Sequence, residues 1–411
     1  MHTDFKDYSW IKNGLTNKFY PCLIRAIRVL LAPKSTTIMT HTKTLIIGAG
    51  PAGLAMAGRF IHLNQPFILL EKSDKIAIAW HQHYERLHLH TDKRHSALPH
   101  LPFSEELPTY LSRLELIDYY ENYCKAFHIK PIFKQEVVSV KKENGQWHTR
   151  TRSGEAFISE NVVVCTGYNR VAVQPNWVGF KDFEGTKLHS QNYKNAKGFE
   201  GQNVLVVGMG NTGAEIALDL FENGAKPFIV VRSPMNIIKR DFMGKPAQRL
   251  AIFLSKFPNW VYDAVGLFFR KIAIGDLSKY GIQSPQYAPS KQLRAYAKVP
   301  VIDIGTVEQI KKGNIKILPD IQHFEKKNVV FQNSQELSFD AVILATGYKA
   351  QIEDFIDNPE PLLNDRRYPK GLWIEEKPYE GLFFLGFQVP ISGILRQIDI
   401  DSMMIVNQIL K

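Results

Sequence analysis

The chain has only three cysteines in 411 residues, Cys22, Cys124 and Cys165, and no CxxC pair. That excludes a disulfide framework, a zinc ribbon and a dithiol redox centre, and leaves isolated thiols suited to a reducing compartment. No uninterrupted apolar run approaches the roughly 20 residues that a membrane-spanning helix needs. The segment CLIRAIRVLLAP has two arginines inside its apolar stretch and no small-residue cleavage pattern, so it does not read as a signal peptide. These absences lead us to expect a cytoplasmic protein. Acidic side chains are the minority, 40 against 51 basic, for a net charge of +11. The excess is concentrated: residues 1–43 hold seven basic and two acidic side chains, and residues 239–279 hold eight and three. Such patches attract phosphate cofactors, anionic membrane surfaces or nucleic acid. No nucleic-acid fold signature accompanies them, so nucleic acid is set aside. The histidines His81, His83, His88, His90 and His95 lack carboxylates at ligand spacing, and no metal site is expected.

What the chain does have is enough apolar sequence, 45%, for a sizeable core in two or three domains. Residues 1–42 read as a basic extension. Within it, Tyr20–Leu31 is amphipathic, compatible with a helix that docks on the body or makes peripheral contact with a membrane. A disordered tail, or a native start at Met39, accounts for it equally simply. The first strand signal is Thr44–Ile47, and a helix is expected over Arg113–Phe127 from the spacing of Leu116, Tyr119, Tyr120 and Tyr123. Leu250–Ile274 is apolar but interrupted by Pro258 and Gly266, and reads as broken helices capping a substrate site or facing a membrane. The pattern strand, glycine turn, helix, strand occurs twice, so the expected fold class is α/β with two Rossmann-like dinucleotide-binding domains.

In the first copy, GAGPAG puts Gly48, Gly50 and Gly53 between an apolar strand and a helix. The first glycine makes the tight turn, the second admits a pyrophosphate, and the third lets helix pack on strand. The helix N-terminus then offers free N–H groups to the phosphates. Glu71 closes the next strand, where an acid hydrogen-bonds ribose hydroxyls. In the second copy, GMGNTG carries Gly208, Gly210 and Gly213, but the strand end holds Arg232 and Ser233 instead of an acid. An arginine there suits a 2′-phosphate and predicts NADPH over NADH, the alternative being a solvated arginine at a strand end. Two dinucleotide sites imply one bound redox nucleotide and one hydride donor, hence FAD in the first and NADPH in the second. With no CxxC to receive electrons, molecular oxygen is the simplest acceptor.

Between the two turns lies FEGTKLHSQNY. Its Phe183, Gly185, His189 and Tyr193 fit the FxGxxxHxxx(F/Y) fingerprint of class B flavin monooxygenases, and the chain resembles that family. The related Baeyer–Villiger enzymes usually end the motif in tryptophan, so Tyr193 favours the flavin-containing monooxygenase or N-hydroxylase side. LATGY, Leu344–Tyr348, resembles the family's second signature. The stretch from Glu71 to Phe103, and the region from VVRSP through VPVIDIG to FDAVILATGYK, resemble the plant YUCCA-type enzymes. The resemblance covers roughly residues 43–390. Ala77 and Ala79 replace the glycine pair found before the tryptophan in animal enzymes, and GFQVPISGILRQ matches the plant pattern only loosely.

The resemblance implies a reaction in which NADPH reduces FAD, oxygen adds to give a C4a-peroxyflavin, and a small organic substrate is oxygenated. An aryl-pyruvate undergoing oxidative decarboxylation, as in the plant conversion of indole-3-pyruvate, is the leading candidate. An NADPH oxidase or flavin reductase that releases hydrogen peroxide, and a non-catalytic FAD/NADPH-binding sensor, are the alternatives. The implied FAD-contacting residues are Gly48, Gly50, Pro51, Ala52, Gly53, Glu71, Lys72, Trp80, Leu87, His90, Thr91, Thr346 and Gly347. Those implied for NADPH are Gly208, Gly210, Asn211, Thr212, Gly213, Arg232 and Ser233. Trp80 also reads as core packing, and His189 as a structural histidine or a gate in the linker that transmits cofactor occupancy. Arg396 is a candidate for a substrate carboxylate or a surface ion pair. The expected division is an FAD-binding domain at 43–175 and 335–411, discontinuous around an NADPH-binding domain with a helical cap at 176–334.

Overall fold

Strand β1 (Met39–Ile47) is the first element of a computed structural model that describes residues 39–296, 298–388, 390 and 392–411. The helix read at Tyr20–Leu31 lies outside the described residues. β1 starts before the apolar signal at Thr44, inside the stretch expected as an extension. Met39–Thr42 pair in parallel with Ala156–Ser159, and backbone pairing does not need apolar side chains. Helix α1 (Pro51–His62) follows the first glycine turn with a proline at its first position, where the missing N–H costs nothing. β2 (Ile68–Leu70) lies parallel to β1. The chain continues through a short helix, α2 (Ile78–Gln82), to α3 (Arg113–Ala126). Ser112 and Glu115 form a reciprocal capping box that starts α3, and its buried face is Leu116, Tyr119, Tyr120 and Tyr123 as the spacing predicts. The antiparallel strands β3 (Val137–Glu143) and β4 (Gln146–Thr151) lead into β5 (Ala156–Val164), which lies beside β1.

The second sheet repeats the plan. β6 (Thr186–His189), β7 (Asn203–Val207), helix α4 (Asn211–Glu222) and β8 (Lys226–Val230) follow one another. Helices α5 (Ala247–Leu254) and α6 (Asn259–Ala273) break at Pro258 as read. Gly266, expected to interrupt as well, sits inside α6. A mid-helix glycine costs only about 1 kcal/mol, which packing readily overrides. β9 (Lys316–Leu318) pairs with β8, and β10 (Ala341–Leu344) lies between β7 and β6, giving the parallel order β9-β8-β7-β10-β6.

The expected return to the first domain at residue 335 is therefore displaced. β10 belongs to the second sheet, and the chain rejoins the first through a parallel bridge from Ile356 to Val140 of β3 and then at β11 (Leu382–Phe384), parallel to β5. An apolar run such as AVIL fits the middle of either sheet, and only its pairing partners decide which. Helix α7 (Ile394–Ile409) then packs Leu395, Ile398, Ile405 and Val406 into the same core as Leu54, Met56 and Phe60 of α1. Arg59 of α1, 6% exposed, ties the two helices by donating to Asp399 Oδ1 and Ser402 Oγ, each at 2.7 Å. The first sheet is thus built from two separate stretches of chain.

Candidate functional site

The two glycine turns are built alike. Gly48 has φ of +104° and Gly208 +103°, a left-handed conformation that favours glycine. A Cβ on either would come within 2.8 Å of the Cys165 carbonyl oxygen or 2.7 Å of the Ala345 carbonyl oxygen, respectively. Cys165 and Ala345 follow β5 and β10, so each turn rests on the strand next to its own. Gly53 and Gly213 close the turns: a Cβ at either would lie 1.9 Å from the carbonyl oxygen of Gly48 or Gly208. Gly50 and Gly210 differ in kind. Each has extended backbone at the N-cap of its helix, and a Cβ there would meet nothing within 4 Å. The space beside each helix N-terminus, with its unpaired N–H groups, is shaped for a phosphate. The residues therefore fit two dinucleotides.

At the end of β2, Glu71 is 5% exposed; its Oε2 accepts from Ala49 N–H at 2.8 Å and its Oε1 from Ser73 N–H at 2.9 Å. The acid is thereby held against the first turn, with Lys72 exposed beside it. At the end of β8, Arg232 and Ser233 are exposed, and Lys298 Nζ donates to Ser233 Oγ at 3.4 Å. Lys298 adds a second cation to this strand end and was not singled out in the sequence. Pro51 and Ala52 open α1. Thr346 and Gly347 sit where the chain leaves the second sheet: Thr346 Oγ1 donates to the Val173 carbonyl at 2.5 Å, and Gly347 accepts from Val173 N–H at 3.0 Å.

The linker motif is buried against the second sheet. Phe183 is 2% exposed and packs its ring edge-on to Phe324. Gly185 is required by close approach, since a Cβ would lie 2.6 Å from the Asp340 carbonyl oxygen and from the Phe183 ring. His189 ends β6; its Nδ1 accepts from Gln191 N–H at 3.2 Å, which places the proton on Nε2. That Nε2 is buried without a hydrogen-bond partner, and the ring stands edge-on to Tyr348. Burial lowers its pKa, the Gly347 backbone opposing. Tyr193 is 1% exposed and donates to Asp219 Oδ2 of α4 at 2.6 Å.

A cavity of about 440 Å³ meets both nucleotide segments. Trp80, Leu87, His90 and Thr91 line it from the first, Asn211 and Thr212 from the second turn, and α5 and α6 from above. Trp80 stacks at an angle against Tyr120, so it packs on the core and faces the cavity. Asn211 Oδ1 accepts from Ile302 N–H at 2.7 Å, which fixes its side chain at the turn. Arg396 is not among the cavity's lining residues; it stands half-buried near His95. The cap is tied down from below. Gln248 Oε1 accepts from Asp92 N–H at 2.6 Å, its Nε2 donates to the Ser392 carbonyl, and Arg249 pairs with the buried Asp92 carboxylate. Burial alone would raise the Asp92 pKa, but the bonds from Arg249 and Arg94 N–H lower it overall.

The sequence reading missed Glu215 and Asp219. Both are buried on α4, where they project between the two halves. Glu215 Oε1 lies 2.5 Å from His90 Nε2, and Asp219 lies 3.6 Å from Arg86. The approach to His90 meets the ion-pair distance without forming an aligned hydrogen bond. Next to them, burial and then Glu215 push the Tyr84 hydroxyl pKa up, while burial and then Lys194 lower His83 to about 4. The available signal was the spacing Asn211, Glu215, Asp219, three polar residues one turn apart on one face of a helix whose middle is otherwise apolar.

Comparison with known proteins bears on this geometry. A sequence family described as flavin-binding monooxygenase-like matches residues 41–370. The probable indole-3-pyruvate monooxygenase YUCCA3 of Arabidopsis thaliana is 37% identical over 359 residues, covering 84% of this chain and 81% of its own. The indole-3-pyruvate monooxygenase YUCCA1 of Oryza sativa subsp. japonica is 34% identical over 351 residues, covering 84% and 86%. Among solved structures, the flavin-containing monooxygenase from Stenotrophomonas maltophilia superposes with a TM-score of 0.68 at 18% identity, covering 90% of this chain and 99% of that one. An oxidized steroid monooxygenase bound to NADP gives 0.71 at 18% identity, covering 90% and 86%. At such identity the structural matches speak for the fold alone.

Proposed function

This chain belongs to the flavin-binding monooxygenase-like family, and from that premise we propose that it oxygenates an aryl-pyruvate. It is an NADPH-dependent flavin monooxygenase with FAD and NADPH as cofactors. The proposed reaction balances as aryl-pyruvate + NADPH + H⁺ + O₂ giving arylacetate + CO₂ + NADP⁺ + H₂O. The indole-3-pyruvate named for the plant relatives is the first substrate to try. FAD, when bound, supplies the oxygen chemistry, and the protein supplies position and exclusion of water.

The observation that carries the reading is the cavity. Its volume of about 440 Å³ falls within the roughly 300–1,000 Å³ of small-molecule sites. Its lining is largely aliphatic and aromatic, and it opens on the segments that would hold both nucleotides. In the roles we propose, Gly50 and Gly210 leave room for the two pyrophosphates and Glu71 accepts from a ribose. Arg232, Ser233 and Lys298 take a 2′-phosphate, and Asn211 and Thr212 lie near the phosphates of NADPH. The linker residues hold β6 in place between the halves. The test is to mix the NADPH-reduced protein rapidly with oxygenated buffer, with and without indole-3-pyruvate, and follow flavin absorbance. A transient spectrum distinct from reduced and oxidised flavin, with one arylacetate formed per NADPH, supports the reading. Peroxide equal to the NADPH consumed, with or without the keto acid, would replace it with the oxidase reading.

A peripheral membrane contact is a second element of the proposal, and the outer face of the cap is what favours it. Among the described residues no helix is long and apolar enough to cross a membrane. Trp260, Phe268 and Ile272 nevertheless stand exposed one or two turns apart on α6, at 73%, 59% and 63%. Phe253 and Phe257 continue the patch, flanked by Lys256 and Lys271. Aromatic side chains rimmed by cations suit an anionic lipid surface. Sedimentation with phosphatidylserine vesicles but not phosphatidylcholine vesicles, lost in Trp260→Ser, is expected; no sedimentation with either would remove this element.

A further inference from the structure

The cavity has a charge asymmetry. Among the described residues that line it there are cations, Lys239, Arg240 and Arg270, and no aspartate or glutamate at all. A mostly apolar cavity with unopposed positive charge is suited to a ligand with an apolar body and an anionic end. The three cations are not equivalent. Arg240 is already paired, with its Nε 3.2 Å from Asp241 Oδ2 and its guanidinium stacked on the Tyr110 ring. Lys239 is exposed, and its field reaches Glu308.

Arg270 is different. It lies on the inner face of α6, one turn after Gly266 and two after Tyr262, both of which also line the cavity. Its Nη1 donates to Asn236 Oδ1, to the Pro285 carbonyl at 3.0 Å and to the Tyr287 carbonyl at 3.4 Å. All three acceptors are neutral. They fix the guanidinium plane without cancelling its charge, and among the described residues every hydrogen bond of Arg270 is made through Nη1. Burial lowers its pKa, with no carboxylate to counter the effect. A guanidinium held in one orientation, partly stripped of water and lacking a counter-ion, presents the two-pronged geometry that matches a carboxylate.

We propose that Arg270 is the carboxylate anchor of the substrate cavity, a specificity-determining residue that selects α-keto acids over the corresponding neutral ketones. The proposal deepens the aryl-pyruvate reading and rests on it for the substrate class. Gly266, lacking a side chain one turn earlier, leaves room for the carbon skeleton beside the anchored end. Its missing Cβ would make only ordinary contacts, 3.7 Å from Pro289 Cδ and 3.8 Å from Ser290 Oγ.

The test uses the FAD-loaded full chain and two probes, phenylpyruvate and phenylacetone, which share the aryl group and ketone but differ in the carboxylate. Each is titrated against the flavin absorbance to give a Kd. The wild type is expected to bind phenylpyruvate about tenfold to hundredfold more tightly than phenylacetone, the range of one charge-assisted pair. Arg270→Gln should abolish that preference, Arg270→Lys should keep part of it, and Lys239→Gln should leave it in place. The KM for NADPH in Arg270→Gln separates the substrate carboxylate from the cofactor phosphates. A preference surviving in Arg270→Gln, or a loss expressed in NADPH binding instead, overturns the proposal. Should the variants fail to fold, a wild type that does not distinguish the two probes overturns it equally. Two further outcomes separate this proposal from the substrate reading. Carboxylate preference that depends on Arg270, without turnover of any aryl-pyruvate, keeps the anchor and sinks the substrate reading. Turnover of aryl-pyruvate with the preference intact in Arg270→Gln does the reverse.

Discussion

Replacing the second or the third glycine of one turn by alanine should separate nucleotide binding from folding. In the NADPH turn these are Gly210→Ala and Gly213→Ala, three residues apart and identical in chemistry. At Gly210 the backbone is extended, with φ of −81° and ψ of −176°, which alanine adopts freely. Its Cβ would have no neighbour within 4 Å. Restricting the unfolded chain stabilises by about 0.4–1 kcal/mol, while alanine is a poorer N-cap than glycine by a similar amount. The net change in stability should stay within about 1 kcal/mol. The same methyl group occupies the space beside the helix N-terminus, so the KM for NADPH should rise at least tenfold, about 1.4 kcal/mol.

At Gly213 the outcome inverts. The Cβ would lie 1.9 Å from the Gly208 carbonyl oxygen and 3.1 Å from Ala345 Cβ. More than an ångström of backbone displacement is needed in a packed layer, where overpacking costs about 1–3 kcal/mol or more. Urea unfolding measured alongside NADPH-driven flavin reduction distinguishes the two. If Gly210→Ala loses more than about 2 kcal/mol, or keeps the wild-type KM for NADPH, the assignment of that open space to a pyrophosphate is wrong. The equivalent pair in the first turn makes the same distinction, with Gly50→Ala expected to purify folded but depleted of FAD.

Three further outcomes are expected. Arg232→Gln should raise the KM for NADPH by roughly tenfold to hundredfold with little change for NADH, the signature of a lost 2′-phosphate contact; equal effects on both nucleotides would return Arg232 to a solvated strand end. His83 has a folded pKa of about 4, below the unfolded value of about 6.5, so the unfolded chain binds the extra proton between the two. Stability should therefore be fully present above pH 6.5 and fall by about 3 kcal/mol as pH drops to 4, and His83→Gln should flatten that part of the urea-midpoint profile. Tyr193→Phe removes the donor to Asp219, but Asn223 Nδ2 at 3.3 Å and Arg86 at 3.6 Å still face that carboxylate; the loss should be only about 1 kcal/mol by urea unfolding.

The turns were legible because their chemistry is local. Gly48, Gly53 and Glu71 are needed within one strand–turn–helix unit, and the clash distances at Gly53 and Gly213 show why no other residue serves. The helix over Arg113–Ala126 was legible from its apolar spacing alone, while the capping box of Ser112 and Glu115, only three residues apart, was passed over. What could not be read was partnership across distance. Ala341–Leu344 is equally apolar as a strand of either sheet, and its place beside β6 and β7 is decided by a backbone register that no side chain announces. Arg396 and Arg270 posed the same difficulty. Both are arginines in apolar surroundings, and only the course of α6 over the cavity separates the one that lines it from the one that does not.

The linker motif gains its meaning from α4. This helix begins at the second nucleotide turn and carries Asn211, Glu215 and Asp219 one turn apart. Asn211 is held by Ile302 of its own half. Glu215 faces His90 and Tyr84, which belong to the stretch following the first turn. Asp219 receives the Tyr193 hydroxyl and lies near Arg86. A single stripe therefore runs from the second glycine turn, past His90 and Tyr84 of the stretch following the first turn, to the last aromatic of the linker. The fixed aromatic at the end of FxGxxxHxxx(F/Y) locks the linker onto that stripe, while its phenylalanine and glycine seat the other end against Phe324 and Asp340. His189, between them, has one nitrogen used by Gln191 and the other buried without a partner. Burial lowers its pKa and the Gly347 backbone opposes that shift, so the neutral ring, edge-on to Tyr348, is held by packing on one side and by the turn after β6 on the other.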